Sequence, residues 1–275
     1  MSSDIPKGAY AIIIGAMKSG TSSLYDYLAR HPAICPAIAK EPEFFSQYQT
    51  RVQVDNYNDL WPAFDSDRHR YVLEASTGYT KYPEETNVPR AIRDYGISPK
   101  FIYILRNPFD RILSQCKHLH YNDSLRLEPT DQRMVLRSNY FLQLQRYQEY
   151  FPIGEFLLLD FDDLKDCPDH LFRRTFQFLG LPVVSLKGAT NVKNPTFRGS
   201  KIERALRKSR IGSVFSFLPG PIKKVGKSLL RTVDPPPERR LSEAERQFVH
   251  SELKDGMAEL YRVYGFDVRK WGFDI

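Results

Sequence analysis

Cysteine is scarce in this sequence, and long apolar runs are missing from it. Cys35, Cys116 and Cys167 are odd in number and scattered, which argues against a disulfide framework, and they lack the spacing of a zinc site. A reducing, cytoplasmic setting is the expectation. No stretch approaches the roughly 18 uncharged residues that a membrane span requires. Residues Met1 to Tyr10 carry no apolar run ahead of the first strand-like segment, so the chain reads as soluble, untargeted and without an integral membrane segment. Internal repeats and low-complexity tracts are absent too. What remains is ordinary for a folded protein: 275 residues, 41% hydrophobic and 27% charged, enough to bury a full core. One domain over residues 1–275 is expected.

Acidic charge is nearly missing from one segment. The chain has a formal net charge of +7, yet Lys201 to Arg231 holds nine Lys or Arg against the single acid Glu203, so +8 sits there and −1 elsewhere. Such a patch suits an anionic ligand, a membrane surface or nucleic acid, and equally a solvated helical face. The surrounding stretch, 187–240, is rich in Gly, Pro and Ser and only weakly periodic. It is expected to form a loop or lid excursion.

Elsewhere the pattern alternates. Tyr10 to Gly15 (YAIIIG) is a short, nearly continuous apolar and β-branched run, as in a strand buried on both faces of a parallel sheet. Thr21 to Arg30 reads as a helix opened by hydroxyl residues able to cap it. Tyr71 to Leu73, Phe101 to Leu105 and Phe156 to Leu159 look like further strands. Helical patterns fall near Glu84 to Asp94, Phe109 to His120, Asp131 to Tyr150 and Pro168 to Leu179. Ser242 and Glu245 form a capping box ahead of a long amphipathic helix with Val249, Leu253, Met257, Leu260 and Tyr264 on one face. The implied fold class is α/β, an open and mostly parallel sheet with helices on both faces.

Between the first strand and the first helix lies Gly15-Ala-Met-Lys-Ser-Gly-Thr21. Small residues and a lysine at a strand-to-helix junction turn backbone N–H groups and a helix N-terminus toward an anion. The loop is therefore P-loop-like. It departs from the Walker A pattern, because Thr21 stands where lysine is required and Lys18 lies inside the loop. Phe156 to Asp160 could serve as a Walker B strand, so a magnesium- and ATP-dependent nucleotide kinase is one alternative. A non-catalytic basic module acting through Lys201 to Arg231 is another.

The segment MKSGTSSL resembles the 5′-phosphosulfate-binding loop of sulfotransferases that use 3′-phosphoadenosine 5′-phosphosulfate (PAPS). Phe101 to Ser114 (FIYILRNPFDRILS) is similar to that family's 3′-phosphate-binding strand and helix. Lys40 to Phe45 (KEPEFF) resembles the segment carrying the catalytic glutamate in the heparan sulfate branch, and Leu73 to Tyr79 resembles that branch's E-K-[ST]-P-x-Y strand. Two positions depart from the branch: Ala75 replaces the lysine after the glutamate of that strand, and Glu43 replaces a histidine two residues past the catalytic glutamate. A small specialised metabolite is therefore expected as acceptor rather than a glycan.

The resemblance implies roles. Lys18 would stabilise the leaving phosphate, with Ser19, Gly20, Thr21, Ser22 and Ser23 supplying further donors. Arg106, beyond the end of its strand, would grip the 3′-phosphate, assisted by Ser114 and by a late loop containing Arg198 and Gly199. Glu41 is the leading general base and His118, one helical turn after Ser114, the competing one. Pro42 is expected to hold its surroundings extended, placing Glu41, Glu43 and Phe45 on one acceptor-lining face. PAPS is the expected donor and 3′-phosphoadenosine 5′-phosphate (PAP) the product, with no metal and no nucleic-acid partner. The sequence leaves open the choice between a monomer and a homo-oligomer.

Overall fold

Every residue of Tyr10–Gly15 is buried, and the segment forms β1 at the centre of a parallel sheet. The computed structural model describes residues 4–47, 52–121, 127–184 and 239–275. Its five strands, β1, β2 (Ile34–Pro36), β3 (Tyr71–Ala75), β4 (Lys100–Leu105) and β5 (Phe156–Asp160), run in the order β2-β3-β1-β4-β5 and all pair in parallel. β2, only three residues long, was too short to leave a periodic signal. The predicted excursion at 187–240 and the basic segment 201–231 lie outside the described residues, apart from Arg239 and Arg240.

Alternation along the strands feeds two cores. Tyr10, Ile12 and Ile14 of β1 and Phe101, Tyr103 and Leu105 of β4 enter one apolar cluster, whereas Ala11, Ile13, Ile102 and Ile104 enter the other. The first is closed by α2 (Val88–Tyr95), α3 (Pro108–Tyr121), α4 (Gln132–Leu136), α5 (Tyr140–Gln148) and the terminal helix α8 (Glu243–Tyr264). The second is closed by α1 (Thr21–Leu28), α6 (Phe161–Asp166) and α7 (Pro168–Phe178). A strand that is apolar on both faces demands helices on both, and the chain supplies them. The capping box is present at Ser242 and Glu245, and Val249, Leu253, Met257 and Leu260 of α8 are fully buried.

Two helix expectations are corrected. The pattern read as one helix over 131–150 is broken, because Asn139 caps α5 by accepting from Leu142 N–H at 3.1 Å. The fully buried Arg111 of α3 holds that break, its guanidinium donating to Ser138 Oγ, Met134 O and Gln115 Oε1 at 2.8, 3.0 and 2.6 Å. The second correction concerns α1, whose cap is Gly20 (φ 85°) with no side-chain hydrogen bond. The hydroxyls after it do not close the helix start. Ser23 N–H already donates to Gly20 O at 3.0 Å, which leaves the N–H groups of Thr21 and Ser22 with capacity for an outside acceptor.

Sheet order fixes where a ligand belongs. β1 is flanked by β3 on one side and β4 on the other, so the connection reverses direction around β1. A crevice opens at the carboxyl ends of the strands there. Three loops meet at it: residues 16–20 after β1, the 3₁₀ turn Thr77–Thr80 after β3, and Arg106 after β4.

Candidate active site

The donor-side loop is shaped by its backbone. Among the described residues only three non-glycine side chains sit at positive φ: Lys18 at 72°, Glu41 at 58° and Glu43 at 55°. Each is strained by about 1–3 kcal/mol, a cost found where surrounding contacts over-determine a functional conformation. Gly20 is required for a second reason besides its φ. A Cβ there would come within 2.9 Å of Leu164 Cδ2 and the Phe161 ring.

Phe161 also ties the loop to Arg106, whose guanidinium carbon lies 4.9 Å from the ring centroid, a cation–π contact. Arg106 Nη1 donates to Lys18 O at 3.1 Å, and Tyr140 Oη donates to Arg106 O at 2.6 Å. Lys18 and Arg106 thus stand together across the tips of β1 and β4. Burial, and then the Arg106 charge, push the Lys18 ammonium below its usual value, while Glu41 opposes them. Buried Ser19 Oγ and Arg106 Nε have no hydrogen-bond partner among the described residues. Two cations, an uncapped helix start and unmet buried polar atoms make a cradle that fits an anion.

Across the crevice the acidic segment is a turn, which corrects the extended geometry expected around Pro42. Left-handed φ at both glutamates destroys the alternation, so Glu41, Glu43 and Phe45 do not share one face. Glu41 N–H donates to Ala75 O at 2.9 Å, and its carboxylate takes Lys40 Nζ at 2.8 Å. Glu43 is buried instead: Gly78 N–H and Ser46 Oγ donate to its two oxygens at 2.8 and 2.9 Å. A Cβ on Gly78 would collide with that carboxyl. Burial pushes the Glu43 acid up despite these bonds and the Lys81 charge. Phe45 packs against Tyr57 and Tyr95, with ring centroids 4.6 and 5.7 Å apart.

His118 on α3 faces the same crevice. Burial, then Lys18, with Lys81 further away in effect, lower its pKa, and Glu41 raises it, so Lys18, Glu41, Lys81 and His118 lie within range of one another's charges. Ser114, a turn earlier, is half-buried. Thr21 is buried and Ser22 and Ser23 are partly exposed at the start of α1. Arg198 and Gly199 lie outside the described residues.

Sequence reasoning missed Lys81 and the part played by Glu74. Glu74 is fully buried and accepts from Ser76 Oγ at 2.5 Å and from Tyr57 Oη. An acid inside the buried strand YVLEA was the available signal, since a carboxyl there must find partners. Asp160, the Walker B candidate, is occupied otherwise. It caps α6 by accepting from Asp162 N–H at 2.8 Å and pairs with Lys270, on a strand separated from β1 by β4.

Comparison with known proteins agrees with this arrangement. The profile of the sulfotransferase domain matches residues 10–219. Human bifunctional heparan sulfate N-deacetylase/N-sulfotransferase 2 is 28% identical over 196 residues, covering 62% of this chain and 22% of that protein. Mouse heparan sulfate glucosamine 3-O-sulfotransferase 5 is 30% identical over 190 residues, covering 62% of this chain and 53% of the relative. The chain thus spans about half or less of the curated relatives it matches. A solved sulfotransferase from Alicyclobacillus acidocaldarius superposes with a TM-score of 0.67 at 20% identity, covering 98% of this chain and all of that one, a likeness of fold. No described helix is long and apolar enough to cross a membrane.

Proposed function

The chain belongs to the sulfotransferase domain family, and from that membership we propose that it moves a sulfuryl group from PAPS to a hydroxyl or amine of a small-molecule acceptor. The observation that carries this reading is the meeting of Lys18 and Arg106 beside an uncapped helix start, with Ser19 Oγ and Arg106 Nε buried and unmet among the described residues. A donor with a phosphosulfate at one end and a phosphate at the other supplies acceptors for all of them.

In this reading Lys18 and the loop residues Ser19 to Ser23 hold the 5′-phosphosulfate, and Arg106, with Ser114, holds the 3′-phosphate. Transfer is an in-line displacement. The acceptor oxygen or nitrogen forms a bond to sulfur, the bond from sulfur to the bridging oxygen breaks, and PAP leaves with the electron pair. Lys18 neutralises the charge growing on that phosphate, which helps most in a site sheltered from water. Glu41 takes the acceptor's proton. It is preferred to His118 because it is held at the crevice by its own backbone bond to Ala75 O. No step calls on a metal ion.

The test is a screen of labelled PAPS against phenols, amines, metabolites and oligosaccharides. Label transfer to at least one class, abolished by Lys18→Ala, is the expected result. Failure of every class together with failure to bind PAP would overturn the reading.

A further inference from the structure

The acidic turn is docked on the end of β3 by side chains that gather around one buried carboxyl. Ser76 Oγ receives the N–H of Glu43 at 3.0 Å and gives its proton to Glu74 Oε1 at 2.5 Å. Tyr79 Oη receives the N–H of Phe45 at 3.2 Å, and the Glu74 carboxyl lies near enough to the same hydroxyl to add to the rise that burial gives its pKa. Tyr57 Oη donates to Glu74 Oε2, and its ring lies 4.6 Å from that of Phe45 and 5.1 Å from that of Phe44.

A hydroxyl has one proton and two lone pairs. Once the Ser76 proton is committed to Glu74, its lone pairs are fixed toward the N–H of Glu43, and the Tyr79 hydroxyl, near the same carboxyl, faces the N–H of Phe45. Removing that carboxyl frees the Ser76 hydroxyl to rotate and removes the acid beside Tyr79. A buried network of this kind is worth more than its separate bonds, because each polarises the next.

We propose that Glu74, which is fully buried, is a positioning residue: through Ser76 and Tyr79 it sets the left-handed turn that presents Glu41 at the crevice. The role assigned to Glu41 rests on the sulfotransfer reading; the control of the turn by Glu74 does not. This separates the two in experiment.

Amide hydrogen exchange on the full chain, resolved to single residues, reads the turn directly, and calorimetry with PAP reads the donor side. Glu74→Ala is expected to raise exchange at Glu43 and Phe45 by tenfold or more, leaving β1 and β4 unchanged and PAP affinity within about twofold. Ser76→Ala is expected to expose Glu43 alone and Tyr79→Phe to expose Phe45 alone. Glu74→Gln, whose carbonyl still accepts from Ser76, restores protection at Glu43. Carbon-13 detection of the Glu43 carboxyl supplies a second signature, a fall of its titration midpoint toward the ordinary glutamate range as the released turn hydrates. If Glu74→Ala fails to fold, the two single-hydroxyl variants decide. Unchanged exchange at Glu43 in Ser76→Ala and at Phe45 in Tyr79→Phe, or uniform loss of protection across the sheet, would overturn the proposal. Loss of PAP binding by the unmodified protein would instead count against the sulfotransfer reading.

Discussion

The two sides of the crevice are built by different means. The donor side is largely a local construction: a buried strand, five residues of loop and a helix follow one another, and Gly20 and Lys18 take left-handed conformations within that span, with Arg106 and Phe161 packed against it. The acidic side is non-local. Residues 41–46 have no regular structure and are held by Ala75, Ser76, Gly78 and Tyr79, more than thirty positions further on. A loop fixed by its neighbours can be recognised from spacing, whereas a turn fixed by remote hydroxyls cannot. The same split says how each side should fail under mutation.

The largest effect is expected on the donor side. Lys18 contacts both the bound phosphosulfate and the leaving phosphate in the proposed reaction, so Lys18→Ala should lower turnover by orders of magnitude and weaken PAP binding as well. Steady-state kinetics with PAP calorimetry check both. An acidic-side change should separate the two readouts. Glu41→Gln keeps shape and polarity but accepts no proton, and should lower kcat by about 10²- to 10⁴-fold with the KM for PAPS nearly unchanged. His118→Ala is the companion, expected to cost little; if it abolished turnover while Glu41→Gln retained it, the base would be the histidine.

Gly78→Ala probes the docking itself. The new Cβ collides with the Glu43 carboxyl, and overpacking of this kind typically costs about 1–3 kcal/mol. A lower melting temperature and reduced kcat, with PAP affinity retained, are expected. The last probe is the pH response. Burial raises the Glu74 pKa from the ordinary 4.5 to about 7, so the folded state binds more protons than the unfolded one between those values. Its contribution to stability is complete below about pH 4.5 and falls as pH rises toward 7, by on the order of 3 kcal/mol. Urea unfolding across this window should show that decline in the unmodified protein and a flatter profile in Glu74→Gln, which cannot ionise.

Legibility in the sequence followed the same division. YAIIIG and FIYIL announced buried parallel strands because both faces are apolar, and the Ser242 to Glu245 box announced α8 because a cap is written in four residues. Lys18, Gly20 and Arg106 were legible because they sit where strands end. The turn at Glu41 was misread, since the preference imposed by Pro42 is a local tendency and the remote bonds to Ser76 and Tyr79 outweigh it. The break at Arg137 to Asn139 was hidden likewise, for Arg111 reaches it from another helix. Glu74 showed as a letter in a motif, but its partner Tyr57 lies seventeen residues earlier.

That Lys18 and Arg106 form one cradle for a donor bearing phosphates at both ends can be checked by calorimetry with PAP and with adenosine 5′-phosphate, which lacks the 3′-phosphate. The protein should bind PAP at micromolar concentration or tighter and the second nucleotide much more weakly. Arg106→Ala should remove most of that difference, about ten- to hundred-fold for a charge-assisted contact of 1.5–3 kcal/mol. Equal affinity for the two nucleotides in the unmodified protein would contradict the account.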